Sequence, residues 1–480
     1  MKIVKKEIMW LVIGIALLVF STGKFIIPIA PWLALMFLLR YSRSVKPLTG
    51  FIAISILSGL VYTFSWQGMV PVKWIPPLMG TYFGIIILID RVLYPRLPMY
   101  TGIFIFPTII VVCEYLNMLT NPMGNWGALG YTQYGFQEIL QLSSIGGVPL
   151  ISFLIAFTAS SSAAVWSEKF KLKQSRIVFL IVVLVMASSL LFGRLRIHNN
   201  SNKKGTITIA SITTEKNPRQ IWNKMYCLDP LKDKNDLAAI QKMSNQNAFA
   251  AIESLLGMDP SLVMTHETAF STLPEKKDLL FKEASLKAKE WNKWFIMSFS
   301  VIGENVYENR IRIYSPYGTA VADQYKFGGA LVEGFTKWGD GEPAVFTVNG
   351  VKVGTYICWD LDFPLKVSKL ARHHPDLLLV PAADWKEIDP VHTHMAVFRA
   401  VELGTSIVRQ TAEGLSIACD PAGNIVNSND HFTANRLFMI SEVPSKSANT
   451  LYSGTVHFFP ILCCATLLIM VALAIVKKQD

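Results

Sequence analysis

The feature that most constrains this chain is where its apolar residues fall. Runs of membrane-spanning length fill roughly the first 195 residues, and one more lies at the C-terminus. A bilayer core takes about 20 apolar residues per helix. On that measure spans are predicted at 7–23, 25–41, 48–65, 74–90, 100–119, 146–166, 177–193 and 458–476. Only Ser21, Thr22, Gly23 and Lys24 separate the first two. The first run reads as a span and not as a removable signal, because a polytopic array follows it. Residues 205–445 differ, with dispersed charges and short apolar stretches typical of a water-facing domain.

Charge placement orients this array. Lys2, Lys5, Lys6, Arg40, Arg43, Lys46, Arg91, Arg96, Lys169, Lys171, Lys173, Arg176, Lys477 and Lys478 fall in segments that alternate to one side, against Glu7, Asp90, Glu168 and Asp480. That side holds nearly all of the net charge of +11. Basic residues near helix ends stay cytoplasmic. Both termini are therefore predicted inside, with the 205–445 domain extracytoplasmic after seven spans and an eighth returning. A charge gathered at helix ends argues against a nucleic-acid partner.

The cysteines form no disulfide framework. Cys113, Cys463 and Cys464 lie in apolar spans, leaving Cys227, Cys358 and Cys419 outside. An odd count in an oxidising compartment predicts at least one free thiol. No CxxC or Cys/His spacing points to a metal.

After a polar linker at 194–204, strand-like and helix-like segments alternate. Strands are expected at 206–212, 261–267, 294–302, 309–316 and 376–382, and helices at 236–257, 275–291 and 391–404. Asn349-Gly350 between 345–348 and 351–358 is a hairpin signal. Such interleaving predicts a layered α/β domain. Three buried strands end on a reactive side chain: LVMTHE at Glu267, VADQYK at Lys326 and VGTYIC at Cys358. Chemistry in α/β sheets gathers at strand C-termini. An ionised thiol is a strong nucleophile, a carboxylate takes its proton, and an ammonium stabilises charge on a carbonyl oxygen. Singly, each residue has a bland reading as core cysteine, strand cap or solvated lysine; the combination carries the weight.

Glu267, Lys326 and Cys358 resemble the Glu-Lys-Cys triad of the carbon–nitrogen hydrolase (nitrilase) superfamily. HETAF, YK at 325–326, YICWDLDFP and RAVELGTSIVRQTAEGLSIACDPAG at 399–423 extend the likeness across the domain. The resemblance implies an α-β-β-α sandwich and a cysteine acyl-enzyme, with no organic cofactor and no metal. Seven spans, an external nitrilase-type domain and a closing span resemble the bacterial apolipoprotein N-acyltransferase family, as do FIIPIAPWLAL (25–35), NPMGNWGALGYTQY (121–134) and SSIGGVPLISFLI (143–155). That family implies a cytoplasmic (inner) membrane enzyme that takes an acyl chain from a phospholipid and passes it to a lipoprotein N-terminus. It also implies Glu333 as a second carboxylate and Trp222, Trp359, Asp360 and Trp385 as substrate-side residues. The chain departs from the family's text at several of these places, reading GGALVEGF around Glu333, Trp359-Asp360 where Tyr-Glu is usual, and PAADWKEID around Trp385.

Other candidates have structural readings beside the functional ones. Glu114 lies in an apolar span, where a carboxylate is a functional candidate. His392 and His394 are two apart on a predicted helix and so on different faces, which points to surface or packing roles. Trp126 and Tyr131 suit lipid guidance or interfacial anchoring, and Arg399 with Glu402 suits a helical ion pair. Two further functions stay open at this point: a membrane-anchored amidase or acyltransferase with another amine acceptor, and a membrane protein that binds without catalysis.

Overall fold

A computed structural model describes residues 2–70, 72–168, 173–200, 205–329 and 333–476. Lys169, Lys171, Lys477, Lys478 and Asp480 of the orienting charges, and 201–204 of the linker, lie outside the described residues. The chain forms two compact units: Met1–Thr120, Asn125–Asn199 and Thr455–Asp480 in one, Asn121–Gly124 and Asn200–Gly454 in the other.

The first unit is helical. Among the described residues, Pro47–Ser65, Ile75–Arg96, Met99–Thr120, Ser143–Glu168, Lys173–Asn200 and Phe458–Val476 are 6 helices long and apolar enough to cross a membrane. The first two predicted spans come out differently, as helices Lys2–Val19 and Ala30–Ser42. Lys2, Lys5, Lys6 and Glu7 occupy the start of the first, which shortens its apolar part. Pro31 near the start of the second fits only a first helical turn, so that helix begins late. Its 13 residues rise about 20 Å, short of a 30 Å hydrocarbon core.

Two acidic groups inside this unit have partners. Arg43 meets Asp90 through two hydrogen bonds of 2.9 Å and also donates to Ser160 Oγ and its carbonyl at 2.8 and 3.1 Å. An ion pair so enclosed needs this many partners to offset desolvation. Glu114 Oε1 accepts the Leu129 N–H at 2.8 Å, at the start of the 3₁₀ turn Leu129–Gln133. Capping the turn that carries Tyr131 is thus a structural use for this carboxylate.

The second unit is a four-layer sandwich. Its strands are β1 Thr206–Ile212, β2 Leu262–Thr265, β3 Phe270–Thr272, β4 Trp294–Gly303, β5 Val306–Tyr314, β6 Ala320–Tyr325, β7 Ala344–Val348, β8 Val351–Thr355, β9 Leu377–Ala383, β10 Ser406–Ala412, β11 Leu415–Cys419, β12 Ile425–Asp430 and β13 Phe438–Pro444. One sheet runs β13-β1-β2-β4-β5-β6 with β3 beside β4, and the other runs β12-β11-β10-β9-β8-β7. Its helices include α1 Pro218–Tyr226, α2 Lys234–Glu253, α3 Lys277–Trp291 and α4 Val391–Leu403.

Burial explains the layers. Ile209, Leu262, Met264, Ile296 and Ile311 of the first sheet pack against Val353, Leu377, Leu379 and Val408 of the second. On the outer face of the first sheet, Phe249 and Ile252 of α2 and Ala284, Ala288 and Trp291 of α3 cover Val263, Phe295 and Met297. Strands covered on both faces need continuous apolar runs, as LLLV in β9 supplies. The β7–β8 hairpin pairs Val348 with Val351, and its two turn residues, Asn349 and Gly350, have φ of 50° and 82°. Both values suit the mirror-image turn that matches strand twist.

Candidate active site

Three strand ends of the sandwich converge. Glu267 lies two residues beyond β2, Lys326 directly follows β6, and Cys358 lies three residues beyond β8. Two of these exits turn sharply. Cys358 has φ of 45° and Thr268, just after Glu267, has φ of 54°. Left-handed backbone at non-glycine residues is uncommon and persists where surrounding structure enforces it. Cys358 opens a 3₁₀ turn to Asp362 that lifts the thiol off the strand line.

Lys326 is the hub. Its Nζ donates to Glu267 Oε1 and to Glu333 Oε1, each at 2.6 Å, and the side chain is 1% exposed. Burial works against its charge, but Glu267, Glu333 and Cys358 outweigh that and hold its pKa well above the ordinary lysine value. Burial raises the Glu333 pKa and Glu267 adds to that rise, while Lys326 opposes both. Asn309 on β5 was not foreseen: its Nδ2 donates to Glu267 Oε1 at 2.7 Å, and its carbonyl accepts the Lys326 N–H at 3.0 Å.

Strand β9 ties the parts together. The Ala382 carbonyl accepts the Glu267 N–H at 3.2 Å, and the Ala383 carbonyl accepts the Cys358 thiol at 3.6 Å. The Cys358 pKa is pushed well above its ordinary value, first by burial and then by Glu267, with Lys326 opposing. Cys358 at rest is therefore a neutral thiol, and ionising it for attack would need a base within reach.

The expected substrate-side residues divide. Asp360 is fully buried, and its oxygens accept backbone N–H groups: Oδ1 from Phe327 at 3.0 Å and Gly328 at 2.7 Å, Oδ2 from Ile357 at 3.0 Å. It pins the loop after Lys326 to the nucleophile turn, so the substrate contact expected of it is replaced by a positioning duty. Burial lifts its pKa to about 7 against the pull of those N–H groups. Asp360→Asn puts an N–H against an N–H; it is expected to cost about 1–3 kcal/mol of stability, and turnover per folded molecule should fall about tenfold. A thermal scan beside initial rates checks both.

Trp359 is buried, donating from Nε1 to the Met123 carbonyl at 3.0 Å, with its ring centroid 6.4 Å from that of Trp385. Gly329, with φ of 75°, wraps this indole; a Cβ there would lie 2.5 Å from the ring and 2.8 Å from Glu333 Oε1. Trp222 on α1 stacks on His266, the neighbour of Glu267, with ring centroids 6.1 Å apart. Arg219 anchors α1 through Glu413 at 2.5 Å and the Asp384 carbonyl at 3.1 Å. Trp222 and Trp385 are partly exposed.

A buried charge cluster lies on the far side of the thiol. Arg409 on β10 forks onto Asp384 at 2.8 and 2.9 Å. His392 on α4 reaches Asp384 Oδ1 through Nδ1 at 2.7 Å and Asp362 Oδ2 through Nε2 at 3.1 Å. Asp384 is held well below the ordinary carboxylate range; burial alone would raise it, but Arg409 and His392 prevail. His392 is therefore not the surface or simple packing residue that its spacing from His394 indicates. Helical spacing assigns a face, and these partners come from other parts of the chain. Ligand-type atoms of Cys358, Asp384 and His392 lie within 4.8 Å of one another. Arg409 already takes both Asp384 oxygens and His392 takes one of them, so the set reads as ion pairing.

The chain is similar to known proteins along most of its length. Residues 14–161 match the apolipoprotein N-acyltransferase N-terminal domain, and residues 195–450 match the carbon–nitrogen hydrolase domain. Apolipoprotein N-acyltransferase 1 of Treponema denticola is 26% identical over 432 residues, covering 78% of each chain. The apolipoprotein N-acyltransferase of Haemophilus ducreyi is 21% identical over 465 residues, covering 88% of this chain and 89% of its own. Among solved structures, an amidase from Nesterenkonia sp. aligns with a TM-score of 0.41 at 17% identity, over 51% of this chain and 92% of its own. The match over residues 195–450, more than half of the chain, places it in the carbon–nitrogen hydrolase family, and its N-terminal part is similar to the apolipoprotein N-acyltransferase N-terminal domain.

Proposed function

We propose that this enzyme moves an acyl chain from a membrane phospholipid, through a thioester on Cys358, to the N-terminal amine of a lipoprotein. The observation that carries the reading is Lys326 clamped between Glu267 and Glu333 beside a buried thiol, in a chain with 6 membrane-length helices. Glu267 takes the thiol proton as sulfur attacks the ester carbonyl. Lys326 stabilises the oxyanion, and Glu267 returns the proton to the leaving lysophospholipid oxygen as the C–O bond breaks. The acceptor amine then attacks the thioester carbonyl, the C–N bond forms, and the C–S bond breaks. Glu267 relays the amine proton back to sulfur. Glu333 keeps Lys326 oriented, while Trp222, Trp359 and Trp385 supply apolar surface for the acyl chain.

The charge placement supports an orientation with both termini cytoplasmic and the catalytic unit outside the bacterial cytoplasmic membrane. An acyl donor in the outer leaflet explains why a thiol enzyme is built on a multi-helix platform, and a site poor in water favours transfer over hydrolysis. The test uses the full chain in micelles with phosphatidylethanolamine. Intact mass is expected to show one acyl adduct, mapped to Cys358, that is cleared by a lipopeptide with a free α-amine and appears there as an N-acyl group. Release of the chain only as free fatty acid would overturn the transferase reading in favour of a hydrolase.

A further inference from the structure

The cluster behind Cys358 has a geometry that packing alone does not call for. Asp362 ends the 3₁₀ turn that begins at Cys358. Asp384 follows Ala383, whose carbonyl accepts the thiol. His392 stands between them, Nδ1 at 2.7 Å from Asp384 Oδ1 and Nε2 at 3.1 Å from Asp362 Oδ2. A neutral imidazole has one N–H and would turn a lone pair toward one of the carboxylates; the imidazolium serves both. Arg409 Nη2 also lies 3.0 Å from His392 Nδ1; a guanidinium only donates, so Nδ1 either accepts there or donates to Asp384 Oδ1, and the shorter 2.7 Å contact favours donation to the carboxylate. Two cations and two anions balance, and all four side chains are buried.

We propose that His392, as an imidazolium bridge between Asp362 and Asp384, is a positioning residue that holds the Cys358 turn and the Ala383 carbonyl in register for acyl-enzyme formation. The proposal rests on Cys358 being the nucleophile. His392 does not touch the reacting atoms; it joins the two segments that do, the turn bearing sulfur and the strand end bearing its carbonyl partner. Displacing a nucleophile by about 1 Å costs on the order of 100-fold in rate, and a lost bridge frees the turn by that kind of distance.

The charge state gives a second handle. The groups facing His392 are Asp362 from the turn after Cys358, Asp384 beyond β9, Arg409 from β10 and the Cys358 thiol within 4.8 Å, with Glu333 close enough to sense it. Burial disfavours the imidazolium, but Asp362 and Asp384 outweigh it and push the pKa up to about 9. With its folded pKa raised, the bridge is complete at neutral pH and is lost as pH rises through about 9.

The test compares full-length wild type, His392→Gln and Asp362→Asn in micelles. Single-turnover acylation of Cys358 by phosphatidylethanolamine is read by intact mass, alongside KM and thermal midpoints. Both variants are expected to acylate about 10–100-fold more slowly per folded molecule, with KM within about twofold. The wild-type acylation rate should bend downward above about pH 9; His392→Gln should lack that bend, and in Asp362→Asn, where the imidazolium keeps only one carboxylate, it should move to lower pH. Asp362→Asn leaves the His392, Asp384 and Arg409 contacts intact, so it decides the matter if His392→Gln fails to fold. Acylation at the wild-type rate in the folded variants, with only their melting lowered, would overturn the bridge. A wild-type enzyme that forms no adduct on Cys358 would instead overturn the nucleophile assignment beneath it.

Discussion

Replacing Cys358 with alanine should abolish the acyl adduct and lower turnover by about 10⁴-fold or more, with thermal stability little changed. Removing the nucleophile leaves only binding and electrostatic stabilisation, which give a small residue of catalysis. The side chain is buried, but alanine keeps its Cβ and gives up one weak 3.6 Å contact to the Ala383 carbonyl. The fold therefore has little to lose. Intact mass after incubation with phospholipid reads the adduct, and a lipopeptide assay reads the transfer. Iodoacetamide supplies an independent check on the wild type. Because burial and Glu267 raise the thiol pKa, alkylation should be slow at pH 7 and climb about tenfold per unit of pH, following the thiolate fraction. Fast alkylation at pH 7 that levels off would show a preformed thiolate and remove the need for Glu267 as base. An adduct of unchanged yield in Cys358→Ala would place the chemistry elsewhere.

Lys326→Met should damage both stability and rate, and the two losses should separate. The substitution leaves Glu267 and Glu333 with no cation between them, each having given up a 2.6 Å charged hydrogen bond. Breaking a buried pair by removing one partner costs about 3–5 kcal/mol, which for a domain of this size lowers the thermal midpoint by roughly 10 °C. Loss of the oxyanion-stabilising charge should cost a further factor of about 10²–10³ in turnover. Adding Glu267→Gln to Lys326→Met removes one orphaned charge. The double variant should regain much of the lost stability while staying inactive, because the base is now gone as well. An unchanged midpoint in Lys326→Met would show that the clamp is not the buried ion network described above.

Much of this site is visible in local text. Glu267, Lys326 and Cys358 each follow a strand by one to three residues, β6 before Lys326 being largely exposed, and a strand's end sets the edge of the sheet at which the next residues lie. The hairpin at Asn349-Gly350 is equally local, since two residues with positive φ suffice to set its register. The first two predicted spans come out as helices Lys2–Val19 and Ala30–Ser42, because an apolar run does not mark where a helix starts: charged residues lead the first, and Pro31 delays the second. Asp360 misled for another reason. An acidic residue beside a nucleophile resembles a substrate ligand until the N–H groups of Phe327, Gly328 and Ile357 are seen to take both oxygens.

Sequence alone determined that membrane-length helices and a layered α/β domain share this chain, and that Glu267, Lys326 and Cys358 lie at strand ends. Hydrophobic periodicity and spacing are properties of neighbours along the chain, and they survive without a fold. Tertiary structure decided the partners: Lys326 between two carboxylates, Asn309 on Glu267, Trp359 on the Met123 carbonyl 236 residues away, and His392 between Asp362 and Asp384. Those pairings depend on which strand ends meet across two sheets. The charge states of Cys358, Asp360 and His392 depend in turn on burial and on those same partners, so none of them can be read before the layers close.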